Sequence, residues 1–293
     1  MKVGFVAILG RPNAGKSTLL NALLSKKVSI VSRKAQTTRD HIYGILNEKD
    51  RQIVFIDTPG IYFGSEGLDR FMRSQAFGSS KDAEAVLYLI DASEKDIEKD
   101  IEIIKGLRCS CPIFIVLNKV SLCTVDEVLP KKQLLAETFP DHQIIESSIL
   151  ENFGLKEIKK AVEPTLVEGS PYFPEDVITD KDKSFQAKEV IRQELLHFLK
   201  QEIPHQSAVK IDRMEKVDGA YKIKATIAVD KENHKAIVIG KNGEMIKKIS
   251  MSARHELERM WHEHISLLEV SVLHLPNWRS DPKKLAEYGY GKQ

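Results

Sequence analysis

The chain has 293 residues and a formal net charge of +2, from 44 Lys and Arg against 42 Asp and Glu. That length allows two domains of about 150 residues, and so balanced a charge means that any nucleic-acid contact must come from a local basic patch. No apolar run approaches the roughly 18 residues of a membrane span, and the N-terminus enters a strand directly, without a signal-peptide pattern. Three cysteines, Cys109, Cys111 and Cys123, do not make a disulfide framework, so a reducing cytoplasm is the expected compartment. Cys109-Ser110-Cys111 is half of a metal motif at most, since no second Cys or His pair at ligand spacing accompanies it, and buried or half-buried thiols are expected there.

The first element is an apolar strand, Val3 to Leu9. It runs into Gly10-Arg11-Pro12-Asn13-Ala14-Gly15-Lys16-Ser17-Thr18, which fits G-x-x-x-x-G-K-[ST], and a helix with Leu19, Leu20, Leu23 and Leu24 at helical spacing follows. Strand, glycine loop and helix start come in the order that phosphate binding requires. The glycines let successive N–H groups point at phosphate oxygens, Lys16 brings a mobile charge, and Ser17 offers a hydroxyl to Mg²⁺. Residues 28–40, without sustained periodicity and rich in Ser, Thr and basic residues, read as a mobile loop. Its Thr37 and Thr38 are either further Mg²⁺ ligands or ordinary loop threonines.

A hairpin, 41–46 and 52–56, leads to Asp57-Thr58-Pro59-Gly60. An acid at the end of an apolar strand is placed to hold Mg²⁺ through water, and Gly60 can give its N–H to a γ-phosphate. Strand-like runs at 85–90, 111–117 and 142–146 alternate with helical patterns at 96–107, 126–138 and 154–162. That alternation predicts a mostly parallel six-stranded sheet with ligands at the strand C-termini. Asn118-Lys119-Val120-Ser121 resembles the Asn-Lys-x-Asp guanine-recognition motif of GTPases, with Ser121 where that motif has Asp. A hydroxyl lacks the charge and the two-oxygen fork, so weaker or less discriminating guanine binding is expected. Ser147-Ser148-Ile149 resembles the Ser-Ala-x loop that meets the guanine carbonyl through a backbone N–H.

Residues 164–182 carry three prolines and a Gly-Ser pair and read as a linker. After it come a helix (184–200), a hairpin (209–215 and 221–229) turning at Val217-Asp218-Gly219, and a G-x-x-G loop, Gly240-Lys241-Asn242-Gly243, between two short helices. A last strand covers 265–273. The order matches an α+β type II KH domain, whose loop grips the backbone of about four unpaired nucleotides. Lys235, Lys247, Lys248 and Arg254 surround the loop, and Ile237, Val238, Ile239 and Ile246 are divided between core and groove wall, mostly core.

A P-loop domain followed by a KH domain resembles the Era family of ribosome-associated GTPases, end to end. The marks are Gly10 to Thr18, Ser32-Arg33-Lys34-Ala35-Gln36-Thr37-Thr38-Arg39, Asp57 to Gly60, Ser170-Pro171-Tyr172 through Pro174-Glu175-Asp176, and a tail with Trp278 and Leu285 through Gly289-Tyr290. The expected organisation is an α/β P-loop GTPase domain (1–164), a linker (165–182), a KH RNA-binding domain (183–276) and a C-terminal tail (277–293). The resemblance implies a GTP/GDP switch that hydrolyses GTP, binds the 3′ end of small-subunit (16S) rRNA and assists 30S subunit assembly; Ile61 stands where GTPases of the Ras type carry a water-orienting Gln, so slow intrinsic turnover is expected.

By the same resemblance Gly10 to Thr18, Asp57 to Gly60, Asn118, Lys119, Ser121 and Ser147 to Ile149 hold the nucleotide; Ser17, Thr38 and Asp57 hold Mg²⁺; and Asn13, Lys16, Thr38 and Gly60 serve catalysis. Asn13 resembles the residue that holds K⁺ in potassium-stimulated relatives. Lys235, Gly240, Lys241, Asn242, Gly243, Lys247 and Lys248 would bind RNA. The resemblance further implies a cytoplasmic monomer with peripheral contact at the inner membrane. Two other readings stay open: another GTPase of the superfamily, and an RNA-binding scaffold with a weak nucleotide site.

Overall fold

The computed structural model describes residues 1–32, 34, 37–62, 64, 66–200 and 202–290. Arg33, Ala35 and Gln36 of the family-like segment, and the last three residues of the tail, lie outside the described residues. Contacts divide the chain into two units, Met1–Phe63 with Met72–Asp180, and Gly64–Phe71 with Lys181–Gln293.

The first unit is built on β1 (Lys2–Gly10), whose side chains alternate between two cores. Val6 and Ile8 enter one apolar cluster and Ala7 and Leu9 the other, all of them fully buried. The same alternation holds in β4 (Ala85–Asp91) and β5 (Ile113–Asn118), which is why these strands read as continuous apolar runs: each residue has a helix-covered face to enter. Each such side chain contributes about 1.5–3 kcal/mol of burial. With β2 (Ile42–Asn47), β3 (Arg51–Asp57) and β6 (Ile144–Ser147) the main sheet runs β2-β3-β1-β4-β5-β6. All neighbours are parallel except β2 against β3. A seventh strand, the two-residue β7 (Val167–Glu168), pairs antiparallel with β1, so the sheet exceeds the six strands expected.

Helices α1 (Lys16–Leu24), α3 (Glu98–Gly106), α4 (Val125–Thr138) and α5 (Leu155–Val162) follow the expected patterns within a few residues. Thr124 caps α4 in a reciprocal box with Glu127, and Asp126 lies in the first turn. Helix α2 (Gly67–Ser79) was not anticipated: its buried apolar residues are Leu68, Met72 and Ala76, a narrow stripe four residues apart, with Asp69 buried beside it.

The stretch expected as a linker is divided by its contacts. Residues 165–180 pack within the first unit, where Gln52, fully buried, accepts from the Tyr172 and Phe173 amides at 2.7 and 3.0 Å. Ile178 takes the Ile45 amide at 2.9 Å, Thr179 bridges Gly44, and Asn47 donates to the Glu175 carbonyl at 2.9 Å. This segment covers the open edge of β2.

In the second unit α6 (Lys183–Phe198) and α8 (Glu244–Trp261) pack on a three-stranded sheet in the order β10-β9-β8, of β8 (Ser207–Val217), β9 (Ala220–Val229) and β10 (Ile265–His274). β9 is antiparallel to β8 and parallel to β10. Asp218 and Gly219, at φ 50 and 80°, close the hairpin, as a tight two-residue turn needs. Helix α7 (Glu232–Ile239) precedes the G-x-x-G loop. The tail adds α9 (Pro282–Glu287) and inserts Trp278, fully buried, with its Nε1 donating to the Gln206 carbonyl at 3.0 Å. Arg279 pairs with Glu66 at 2.6 Å and Asp69 at 3.3 Å, which accounts for the grouping of Gly64–Phe71 with this unit.

Candidate functional site

The loop from Gly10 to Gly15 leaves β1 at its C-terminal end and delivers the chain into α1. Gly15 has φ +102°, and a Cβ there would lie 2.5 Å from Asn118 Nδ2, so the position admits no side chain. Lys16 is buried with its Nζ donating to the Gly10 and Arg11 carbonyls at 3.1 and 2.9 Å. Burial lowers its ammonium to about 8, against the opposing pull of Asp57 and Asp100. Arg11 turns away to Asp100 at 3.2 Å, which also accepts from the Tyr88 hydroxyl at 3.0 Å. Asn13 is exposed in the left-handed region at φ 66°.

Three expected Mg²⁺ residues converge. Ser17 Oγ lies 2.8 Å from Thr38 Oγ1 and donates to Asp57 Oδ2 at 2.6 Å, with Thr38 at 3.4 Å from the same oxygen. Ser29, which sequence reading did not single out, donates to it at 2.7 Å from a fully buried position, and the Asn21 side chain fixes its loop by taking the Val28 and Ser29 amides. Asp57 is wholly buried, which raises its pKa against the hydroxyls and Lys16. Its Oδ1 has no hydrogen-bond partner among the described residues. A buried carboxylate with one unspent oxygen, ringed by three hydroxyls, is a donor set that fits a hard divalent cation. Thr37, the other candidate, donates to its own loop's Lys34 carbonyl at 2.7 Å.

Thr58 is buried and donates to the Ile8 carbonyl at 2.7 Å, tying the Asp57–Gly60 turn to β1. At Gly60 a Cβ would lie 2.8 Å from the Pro12 backbone, so Pro59-Gly60 is pressed against the phosphate loop. Ile61 gives its N–H to Gly10 at 3.1 Å and is only 2% exposed. Its side chain is part of the core.

At the base end Asn118, buried, donates to the Ala14 carbonyl at 2.8 Å and accepts from Ser147 Oγ at 3.1 Å. Lys119, at φ 65°, is paired with Asp91, a partner not anticipated. Ser121 lies 2.6 Å from Ser148, hydroxyl to hydroxyl. The Ser148 amide, expected to face the guanine carbonyl, instead donates to the Phe153 carbonyl at 3.1 Å in a two-residue antiparallel bridge. Asn152 and Gly154, both at positive φ, turn the chain back so that Phe153 reaches it. Ile149 is buried in the core beside α1.

In the second unit Gly240 (φ 75°) ends α7, and Gly243 (φ 77°) opens α8, with Asn242 at φ 52° between them. Lys241, Lys247 and Lys248 are exposed and Lys235 half-buried. Arg254 is held by Glu258 at 3.4 Å. Of the four isoleucine and valine candidates only Val238 is fully buried, and Ile237 is 47% exposed, so the wall has more of them than the core. The three cysteines are free and half-buried, and no metal-ligating cluster occurs among the described residues.

Two phosphate-type glycine loops, one on a doubly wound sheet and one in an α+β unit, define a P-loop GTPase joined to a KH module. The family model for a 50S ribosome-binding GTPase matches residues 5–119, and the KH domain model matches 202–273. The chain is 40% identical to GTPase Era of Lactobacillus delbrueckii subsp. bulgaricus over 296 aligned residues, covering 100% of this chain and 97% of that one. It is 38% identical to GTPase Era of Clostridium botulinum, covering 100% and 99%. Among solved structures it is similar at TM-score 0.95 and 39% identity to Era in complex with MgGDPNP and nucleotides 1506–1542 of 16S ribosomal RNA. It is similar at TM-score 0.94 and 39% identity to an Aquifex aeolicus Era variant bound to GDP and AlF4⁻. All of each chain is covered in both. The chain belongs to the Era family of GTPases.

Proposed function

We propose that this chain is a GTP-hydrolysing switch that binds the 3′ end of 16S rRNA through its KH unit and assists assembly of the small ribosomal subunit. The observation that carries the reading is the convergence of Ser17, Thr38 and Asp57 beneath the phosphate loop, with Asp57 Oδ1 unspent. The Mg²⁺ and RNA fragment held by the Era complex support it. Ser17 and Thr38 would hold Mg²⁺ with Asp57 behind them, and the cation would neutralise charge on the β- and γ-phosphates. Lys16 would exchange its two carbonyl partners for phosphate oxygens. Gly60 would offer its N–H to the γ-phosphate. Asn118 would brace the base pocket against the Ala14 carbonyl, and the Lys119 stem would lie along the base. Lys235, Lys247, Lys248 and the Gly240–Gly243 backbone would receive the RNA chain.

Hydrolysis would be in-line attack of water on the γ-phosphate, with positioning and charge stabilisation as the means. Ile61, buried, orients no water, so intrinsic turnover is slow. Asn13, exposed beside the phosphates, would hold a K⁺ that supplies the missing charge. Steady-state GTPase rates in K⁺ and in Na⁺ test this: the wild type is faster in K⁺ and Asn13→Ala is not, whereas equal rates in both salts for both proteins would remove the cation. The whole reading is tested by GTP hydrolysis and by binding of a 16S 3′-end oligonucleotide to the full chain. No helix among the described residues is long and apolar enough to cross a membrane, and peripheral membrane contact rests on the family resemblance alone.

A further inference from the structure

The base end of the pocket departs from a carboxylate reader in three ways. Ser121 carries no charge. Its hydroxyl and that of Ser148 lie 2.6 Å apart and share one hydrogen bond. The Ser148 amide is engaged by Phe153 at 3.1 Å.

These facts bear on which purines the site accepts. The Watson–Crick edge of guanine presents two donors, N1–H and the 2-amino group. Xanthine presents N1–H and an acceptor, O2, while hypoxanthine has N1–H and no group at C2. A carboxylate only accepts hydrogen bonds. It matches guanine, repels xanthine O2, and is left with an unpaired charged oxygen by hypoxanthine. Sites of that type discriminate strongly because the wrong ligand strands a buried charge.

A pair of hydroxyls behaves differently. Each oxygen can donate or accept by rotating its proton, so Ser121 can accept from the guanine amine or donate to xanthine O2. Where the base has nothing at C2, the two hydroxyls keep their mutual bond and no charge is stranded. The Asn118–Ala14 bond and Lys119, held by Asp91, are indifferent to the C2 substituent.

We infer that Ser121 and Ser148 make this chain a 6-oxopurine nucleotide site, taking the triphosphates of xanthosine and inosine nearly as well as GTP. The inference rests on the nucleotide-site reading above and narrows it.

The experiment is competition of GTP, XTP and ITP against a fluorescent GDP on the full chain with Mg²⁺. XTP and ITP are expected within about tenfold of GTP. Ser121→Asp, at an exposed position that tolerates the change, is expected to tighten GTP and weaken XTP, moving the GTP-to-XTP ratio by at least about tenfold. A wild-type preference for GTP over XTP or ITP beyond tenfold would overturn the inference while leaving the guanine site intact. So would a Ser121→Asp chain with an unchanged ratio. Failure of the fluorescent GDP itself to bind would overturn the nucleotide site as a whole.

Discussion

The chain has two glycine loops, and they are made on opposite plans. The loop after β1 is crowded: Gly15 has no room for a methyl beside Asn118, Gly60 presses on Pro12, and Lys16 is buried with a depressed pKa. The loop after α7 is crowded only at its start. A Cβ on Gly240 would lie 2.6 Å from Met245 Cβ, whereas one on Gly243 meets nothing within 4 Å, and the lysines beside it are exposed. A buried loop holds one small polyanion in fixed geometry and in low dielectric. An open loop tracks a long flexible one and relies on screened, exposed charge.

The contrast is broken most severely at Lys16. Lys16→Ala is expected to weaken GTP binding by about a hundredfold, the scale of losing charge-assisted bonds in a buried site, with RNA binding unchanged; fluorescence titration of both ligands checks it. Next come the two glycines of the open loop. Gly240→Ala is expected to lower the melting temperature of the second unit by more than Gly243→Ala, since Gly240, at φ 75° and ψ 172°, has a backbone essentially only glycine adopts and a clash besides, whereas Gly243 carries about 1–2 kcal/mol of left-handed strain alone. Gly243→Ala is expected to leave the unit folded and weaken RNA about tenfold, by holding the RNA backbone away. Equal melting temperatures for the two variants would contradict the packing described.

Titration separates the loops more gently. Phosphates favour the charged form of Lys16, so above its free value of about 8 nucleotide binding must take up a proton. The GTP dissociation constant is therefore expected flat below pH 8 and rising by up to about tenfold per pH unit above it. Calorimetry in buffers of different ionisation heat reads that proton uptake directly. The smallest effect is expected for Lys247→Ala or Lys248→Ala. Each should weaken single-stranded RNA a few-fold and reduce the slope of log affinity against log salt by about 0.7, with GTP untouched.

Much of this was legible beforehand because both loops are local. Gly10 to Ser17 and Gly240 to Gly243 need particular residue types at fixed spacing, and the strands on either side announce themselves by apolar runs with two faces to fill. Ser121 was visible as a departure for the same reason. Helix α2 was not, since its buried stripe of Leu68, Met72 and Ala76 is too narrow to stand out among polar neighbours. Nor was the covering of β2, where residues 165–180 use backbone amides and carbonyls that any sequence carries.

By itself, then, the sequence determined the two modules, the phosphate loop and the identity of the residue at the base-reading position. Those are matters of residue type within a few positions of one another. Only the tertiary structure decided that Ser29 joins Ser17 and Thr38 on Asp57, that Asp57 keeps one oxygen unspent, and that Ser121 is answered by Ser148 while the Ser148 amide goes to Phe153. These pairs are brought together by strand order, across 28 residues for Ser29 and Asp57 and 27 for Ser121 and Ser148. A hydrogen bond across such a gap leaves no periodic trace in the chain.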